Sequence, residues 1–222
     1  MNRIIWLILV LAVLDLHAQT VTNYSPKELE TWQKIGDGKG TVVQSQFYME
    51  ETDGSLGFAV ISPEKYNDVV LRYEVMTMNA ATVLVALLNA SDIGNSTDLT
   101  VAADNKGGFA FLTKETENYM FGFGVMAHNT LPFIRKSPVT GTETGILKLA
   151  EKEMIHSGWR HSVECGKKGS KLWLKIDGET IIEINDSKPL ESGKIAIRVR
   201  GTGSDLGKCL VRNLEIEGEP VK

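Results

Sequence analysis

The stretch FGFGVMAHNTLPFIRK, Phe121 to Lys136, brings together the residue types best suited to chemistry. His128, Asn129, Arg135 and Lys136 all fall within nine residues. An imidazole titrates near neutrality and can take or give a proton, and an Arg fork binds a carboxylate through two parallel hydrogen bonds. His128 is therefore the candidate general acid or base, with Asn129 and Arg135 as candidate ligand-holding groups. Just upstream, Phe121, Phe123 and Val125 alternate with Gly122, Gly124 and Met126. This pattern predicts a strand with one apolar face and one nearly bare face. The bare face is either a floor on which a bulky ring rests, or the mark of a sharp twist and close backbone packing.

Alternation supplies further candidates. Arg72 and Glu74 lie opposite Leu71, Tyr73 and Val75; Trp173 and Lys175 lie opposite Leu172, Leu174 and Ile176; Arg198 and Arg200 lie opposite Ile197 and Val199. If these strands share a sheet, its open face holds cations, a carboxylate, an imidazole and an indole. Such a set suits a sugar acid, with Arg72, Arg135, Arg198 and Arg200 facing the carboxylate and Trp173 stacking on the ring. Glu74 is then the partner carboxylate of His128 in catalysis. The plainer alternative makes the same charges cross-strand pairs on a solvated face, puts Trp173 under a loop, and leaves His128 bonded to a turn. His161 falls in phase with Val163 and Cys165 and is expected to face inward or an interface. No CxxC, HxxxH or HxH spacing occurs, so neither a metal nor a cofactor is expected.

The elements that must position these groups are short strands. Of 222 residues, 42% are hydrophobic and 23% charged, enough for one large domain. The net charge is −4 and no basic stripe exists, which argues against a nucleic-acid partner. Arg3, the apolar run Ile4 to Leu14 and the small residue Ala18 read as a signal peptide cleaved near Ala18. That run is well short of the roughly 20 residues a membrane span needs. A secreted or periplasmic protein of residues 19–222, forming a single domain with no membrane span, is expected. Strands are predicted over Val69–Met78, Thr82–Ala90, the GFAFLTK segment, the run from Phe121, and five segments after Trp159. Asp177-Gly178 and Asp53-Gly54 are hairpin signals. Only SPKELETWQKI and Ile146–Ile155 read as helical, the first with a capping box of Ser25 and Glu28. Two helices cannot cover so many strands, so the strands cover one another in an all-β, two-sheet antiparallel sandwich. Cys165 and Cys209 are either a disulfide or two buried thiols.

The run from Trp159 to Ile216 resembles the C-terminal half of a concanavalin A-like jelly roll, the fold of many lectins and glucanases. The residues that carry the likeness are the strand ending in IDG, the GKIAIR strand and the closing VRNLEI; YNDVVLRYEV, Tyr66 to Val75, resembles an earlier strand of the same proteins. The layout is similar to the bacterial YesU-like family associated with pectin utilisation and to the keto-disaccharide hydrolase domain, with FIRKS (Phe133–Ser137) and GKIAIRVRGT (Gly193–Thr202) as the points of likeness to the former. The resemblance implies a jelly roll with a saccharide groove on one bent sheet. The E-x-D-x-x-E strand of the glucanases and the R-[ST]-E-[LV]-R and Q-[IV]-H motifs of the alginate lyases are absent. Two functions follow: an enzyme acting on an oligo- or polysaccharide, as a glycoside hydrolase or an eliminating lyase, or a lectin-like binding protein. Whether Glu74, Glu164 or Glu183 faces His128 separates them, because glycoside hydrolysis generally needs two acids across the bond.

Overall fold

The computed structural model describes residues 20–94, 98–141, 144–202 and 204–221, leaving out the side chain of Met126; the proposed signal peptide lies outside them. In chain order the elements are β1 (Val21–Tyr24), α1 (Pro26–Thr31), β2 (Gln33–Ile35), β3 (Gly38–Val43), β4 (Gln46–Glu51), β5 (Phe58–Tyr66), β6 (Val69–Thr77) and β7 (Val83–Asp92). They continue as β8 (Thr116–Phe123), β9 (Phe133–Ser137), β10 (Ile146–Leu149), β11 (Arg160–Lys168), β12 (Lys171–Ile176), β13 (Glu179–Asn185), β14 (Gly193–Arg200), β15 (Lys208–Glu217) and β16 (Pro220–Val221). Two antiparallel sheets result. The first runs β13-β12-β11-β6-β15-β4-β3 with β1 also on β15; the second runs β10-β9-β8-β7-β14-β5-β16 with β2 also on β5.

Period-two alternation builds the core between them. Leu71, Tyr73, Val75, Cys165 and Leu174 from the first sheet pack with Leu84, Phe121, Phe123, Ile197 and Val199 from the second. The second sheet also buries part of its outer face. Val85, Leu87, Met120 and Ala196 form a further apolar layer, joined by Leu99 and Leu112 from the connection between β7 and β8. That is why Thr82–Ala90 is almost continuously apolar: every residue of it is buried.

Several expectations hold in detail. Ser25 caps α1 through the Glu28 backbone N–H, and Glu28 returns a bond to the Ser25 backbone. Asp177 and Gly178 have φ of 53° and 80° and join the paired strands β12 and β13, as a type I′ turn requires. Others are corrected. Asp53-Gly54 does turn the chain, but β4 and β5 belong to different sheets, so it crosses the sandwich instead of closing a hairpin. The expected helix at Ile146–Ile155 is the edge strand β10 followed by irregular chain. There the Glu153 carboxylate accepts from the backbone N–H groups of Val125, Met154 and Ile155, giving the backbone partners a helix would otherwise supply. The expected GFAFLTK strand is a helical turn over Phe111–Glu115, its Leu112 carbonyl accepting from both Thr116 Oγ1 and Asn118 Nδ2. The first helix stops at Thr31, and Gln33–Ile35 pairs with β5.

Cys165 and Cys209 are buried free thiols. They stand opposite Leu71 and Thr77 of β6, six positions and so about 20 Å apart along that strand, far beyond the roughly 7 Å a disulfide spans. Among the described residues, no helix is long and apolar enough to cross a membrane.

Gly122 is bare for a packing reason. It lies opposite Phe133, and a Cβ there would meet the Phe133 ring at 2.5 Å. Gly124 takes φ of 61°, beside Ile155 and Leu84. The twist and packing reading of these glycines is therefore the correct one. Gly122→Ala is expected to destabilise the protein by about 1–3 kcal/mol in urea unfolding, and Phe133→Leu in the same chain is expected to recover part of the loss.

Candidate functional site

The expected site residues divide between two outer faces. Arg72 and Glu74 on β6 and Trp173 on β12 belong to the first sheet; Arg135 on β9 and Arg198 and Arg200 on β14 belong to the second. His128 ends a short turn after β8, with Asn129 next to it. The core lies between the sheets, so no single face carries all these groups. Glu164 and Glu183 lie on β11 and β13, again in the first sheet, so none of the three carboxylates considered faces His128.

The outer face of the first sheet is a closed ion network. Arg72 reaches Glu164 at 2.7 Å and Glu215 and Glu217 at 2.8 Å each. Glu164 also takes Lys175 at 2.9 Å and the Trp173 indole N–H at 2.6 Å. Trp173 covers Gly166, where a Cβ would meet its ring at 2.1 Å, and is 9% exposed. It packs within the sheet instead of offering a stacking surface. Glu74 is held by Arg212 at 2.7 Å and Asn213 at 2.7 Å. Burial favours its neutral form, but these partners outweigh that and hold its carboxyl below the usual range, so it stays ionised and occupied.

The second sheet instead carries a pocket of about 470 Å³. Its floor is Val83 and Val85 of β7. Across the ladder Val85 meets Gly122, over which the Phe133 ring lies, on one side and Arg198 on the other. Ile146 and Val125 close two walls, while Leu56, Phe109, His128 and Thr130 form the rim. Three arginines border this space in different states. Arg200 is committed to Glu51 at 2.8 Å and the Ser55 carbonyl at 2.8 Å. Arg198 is 5% exposed and donates to the Leu56 carbonyl at 2.7 Å and the Gly107 carbonyl at 3.0 Å. Burial, with Arg200 beside it, brings its pKa down to about 10. It is a strap that fixes two rim loops. Of the three, Arg135 alone has no hydrogen bond or ion pair with the described residues: its guanidinium carbon sits 4.9 Å from the Phe109 ring centre and 5.6 Å from that of Phe133. Among the described residues its buried Nε has no hydrogen-bond partner. Burial lowers its pKa, and it remains a cation in an apolar setting. Among the described residues, no carboxylate lines the pocket.

His128 is exposed at the rim, whereas Asn129, at φ of 53°, turns the chain and does not line the pocket. His161 is buried as expected, donating from Nδ1 to Asp177 at 2.7 Å and accepting the His156 backbone N–H on Nε2 at 3.0 Å, so both ring nitrogens are used. Among the described residues, no group of three or more His, Cys, Asp or Glu side chains could hold a metal ion. Sequence reasoning missed Phe109 and Leu56. Phe109 lay in a segment read as strand, and Leu56 is brought to the pocket by long-range bonds, its N–H to the Lys106 carbonyl and its carbonyl to Arg198.

No family model matches this chain, and no curated protein matches it either. Solved structures do. A Bacillus subtilis protein of unknown function with a galectin-like fold aligns at 15% identity and a TM-score of 0.71 over 88% of this chain and 93% of its own. The fold is a jelly roll. The carbohydrate-binding module CBM66 from Bacillus subtilis aligns at 12% identity and TM-score 0.56, covering 84% of this chain and 95% of its own. A Bacillus licheniformis β-glucanase aligns at 12% identity and TM-score 0.54, covering 85% and 92%. In this jelly roll the charge-neutralised face and the pocket lie on opposite sides of the sandwich.

The network on the first sheet makes a pH prediction. Burial alone would raise the Glu164 pKa, but Lys175, Arg72 and Trp173 outweigh it and hold the carboxyl at about 2 against an ordinary 4.5. A folded pKa depressed in this way gives stability that is complete above about 4.5 and is lost as pH falls toward about 2. Urea midpoints measured through that window should fall steeply for the wild type and less steeply for Glu164→Gln.

Proposed function

We propose that this is a secreted or periplasmic carbohydrate-binding protein, one domain after loss of its signal peptide, whose second-sheet pocket takes a saccharide bearing a carboxylate. The observation that carries the reading is Arg135: a half-buried guanidinium against two phenyl rings, with no hydrogen-bond partner or counter-ion among the described residues, in a pocket that no carboxylate among them lines. A carboxylate there would form charge-assisted bonds to the guanidinium in a partly desolvated setting. The carbohydrate-binding module and the glucanase that share the fold support a saccharide as the ligand class. The proposed kinship with the YesU-like family rests on FIRKS and GKIAIRVRGT. These segments form β9 and β14 and supply Arg135, Phe133, Arg198 and Arg200 to this pocket.

Binding without turnover is preferred because hydrolysis of a glycosidic bond generally uses two carboxylic acids, and Glu74 lies on the other sheet. One observation favours a second reading, an eliminating lyase: His128 shares the pocket with Arg135. The imidazole would take the proton next to a carboxylate that the cation neutralises, and the electron pair would form the double bond as the glycosidic oxygen leaves.

Calorimetry with glucuronate and galacturonate oligosaccharides tests the proposal. Arg135→Ala is expected to weaken binding about 10- to 150-fold, the loss of charged hydrogen bonds worth about 1.5–3 kcal/mol. Arg72→Ala should leave it unchanged. Equal affinity for neutral oligosaccharides, or no effect of Arg135→Ala, would contradict the reading; ultraviolet absorbance from an unsaturated product, lost in His128→Ala, would establish the lyase.

A further inference from the structure

The pocket is more apolar than a bare sugar acid needs. Its floor, Val83 and Val85, has no polar side chain; the backbone of Val85 is already paired on both sides, to β8 and to β14, and that of Val83 to β14. Sugar hydroxyls pressed onto that floor would lose water and find no partner, which opposes binding. Phe133 and Val125 extend the same surface. Arg198 and Arg200 stand across the ladder from Val85 and Val83, but both are bonded to the protein; the other polar groups of the lining are Arg135, Thr130 and His128. One part of the pocket is therefore matched to an anion and hydroxyls, and another to a group with neither.

The apolar part is built and held. Leu56 is 51% exposed and Phe109 is 43% exposed, both at the mouth of the same cavity. The single buried side chain of Arg198 holds the Leu56 carbonyl and, two residues before Phe109, the Gly107 carbonyl. Three glycines allow this approach. Gly36, Gly57 and Gly107 all have positive φ, and the Gly57 carbonyl lies 1.9 Å and 2.0 Å from where Cβ atoms on Gly36 and Gly107 would stand. Two large apolar side chains are thus fixed beside the opening, where each gains from an apolar ligand and neither is needed by the core.

We infer that the ligand is a glycoside of a uronic acid with an aromatic or alkyl aglycone: the carboxylate on Arg135, the aglycone on Val83, Val85 and Phe133 beneath Leu56 and Phe109. This rests on the acidic-saccharide reading above and names the substituent that the pocket selects. Charge and apolar surface each cover a different end of such a molecule.

The test is calorimetric titration of the purified protein with both anomers of 4-nitrophenyl glucuronide, methyl glucuronide and 4-nitrophenyl glucoside, and with phenylacetate. The aryl glucuronide is expected to bind at least about 10-fold more tightly than each of the other three. Leu56→Ser, at an exposed position, and Val85→Thr, of nearly the same shape, should each cut the preference for aryl over methyl several-fold and leave methyl glucuronide affinity unchanged. Methyl glucuronide binding as tightly as the aryl compound would overturn this inference and leave the acidic-saccharide reading standing. Equal binding of the aryl glucoside would overturn the acidic reading. Phenylacetate matching the aryl glucuronide, or no binding by any of the four, would overturn both.

Discussion

The packing of apolar side chains between the two sheets decides where every polar group on this protein can go. Tyr73 of β6 meets Phe123 of β8 across that layer, ring centres 6.5 Å apart, and Leu71, Cys165, Ile197 and Val199 continue it. Once those residues face inward, their neighbours on each strand must face out. Arg72 is committed to one surface because Leu71 and Tyr73 are committed to the core, and Arg198 to the other because Ile197 and Val199 are. The molecule therefore has two outer faces with independent chemistry.

Those faces solve opposite electrostatic problems. On the first sheet each major cation meets carboxylates: Arg72 has three and Glu164 bridges several donors, so the surface is knit together and presents little uncompensated charge. On the second sheet the helical turn at Phe111–Glu115 and Leu99 cover only part of the apolar layer. The uncovered part is the pocket, where Arg135 rests on aromatic rings without a counter-ion among the described residues. Desolvating a cation is unfavourable unless something compensates it, and here the compensation from the rings is partial. A ligand anion would complete it.

Much of this architecture is legible in the residues. The strands of β6, β11, β12, β14 and β15 follow from alternation, β7 from its continuous apolar run, the β12–β13 turn from Asp177-Gly178, and the first helix from Ser25, Pro26 and Glu28, because each signal is local. The sandwich follows from counting strands against helices. What could not be read is which strands share a sheet. Alternation says that Arg72 and Arg135 each face away from the core, yet not that they face away in opposite directions, since that depends on pairings between residues far apart in sequence. The same limit hid the ring of Phe133 over Gly122, the distance between the two thiols and the strap formed by Arg198. Ile146–Ile155 misled for another reason: its spacing fits a helix, while edge pairing with β9 and the bonds to Glu153 supply competing partners.

The central claim is that Arg135 is the group on which an anionic ligand lands. Nitrogen-edited NMR of the arginine Nε–H signals, recorded while a uronic acid glycoside is titrated in, tests it most directly. The account predicts a large, saturable shift and slowed solvent exchange at Arg135, a smaller change at Arg200, and none at Arg72. Shifts confined to Arg72, or an Arg135 signal that never moves while the ligand binds, would contradict it.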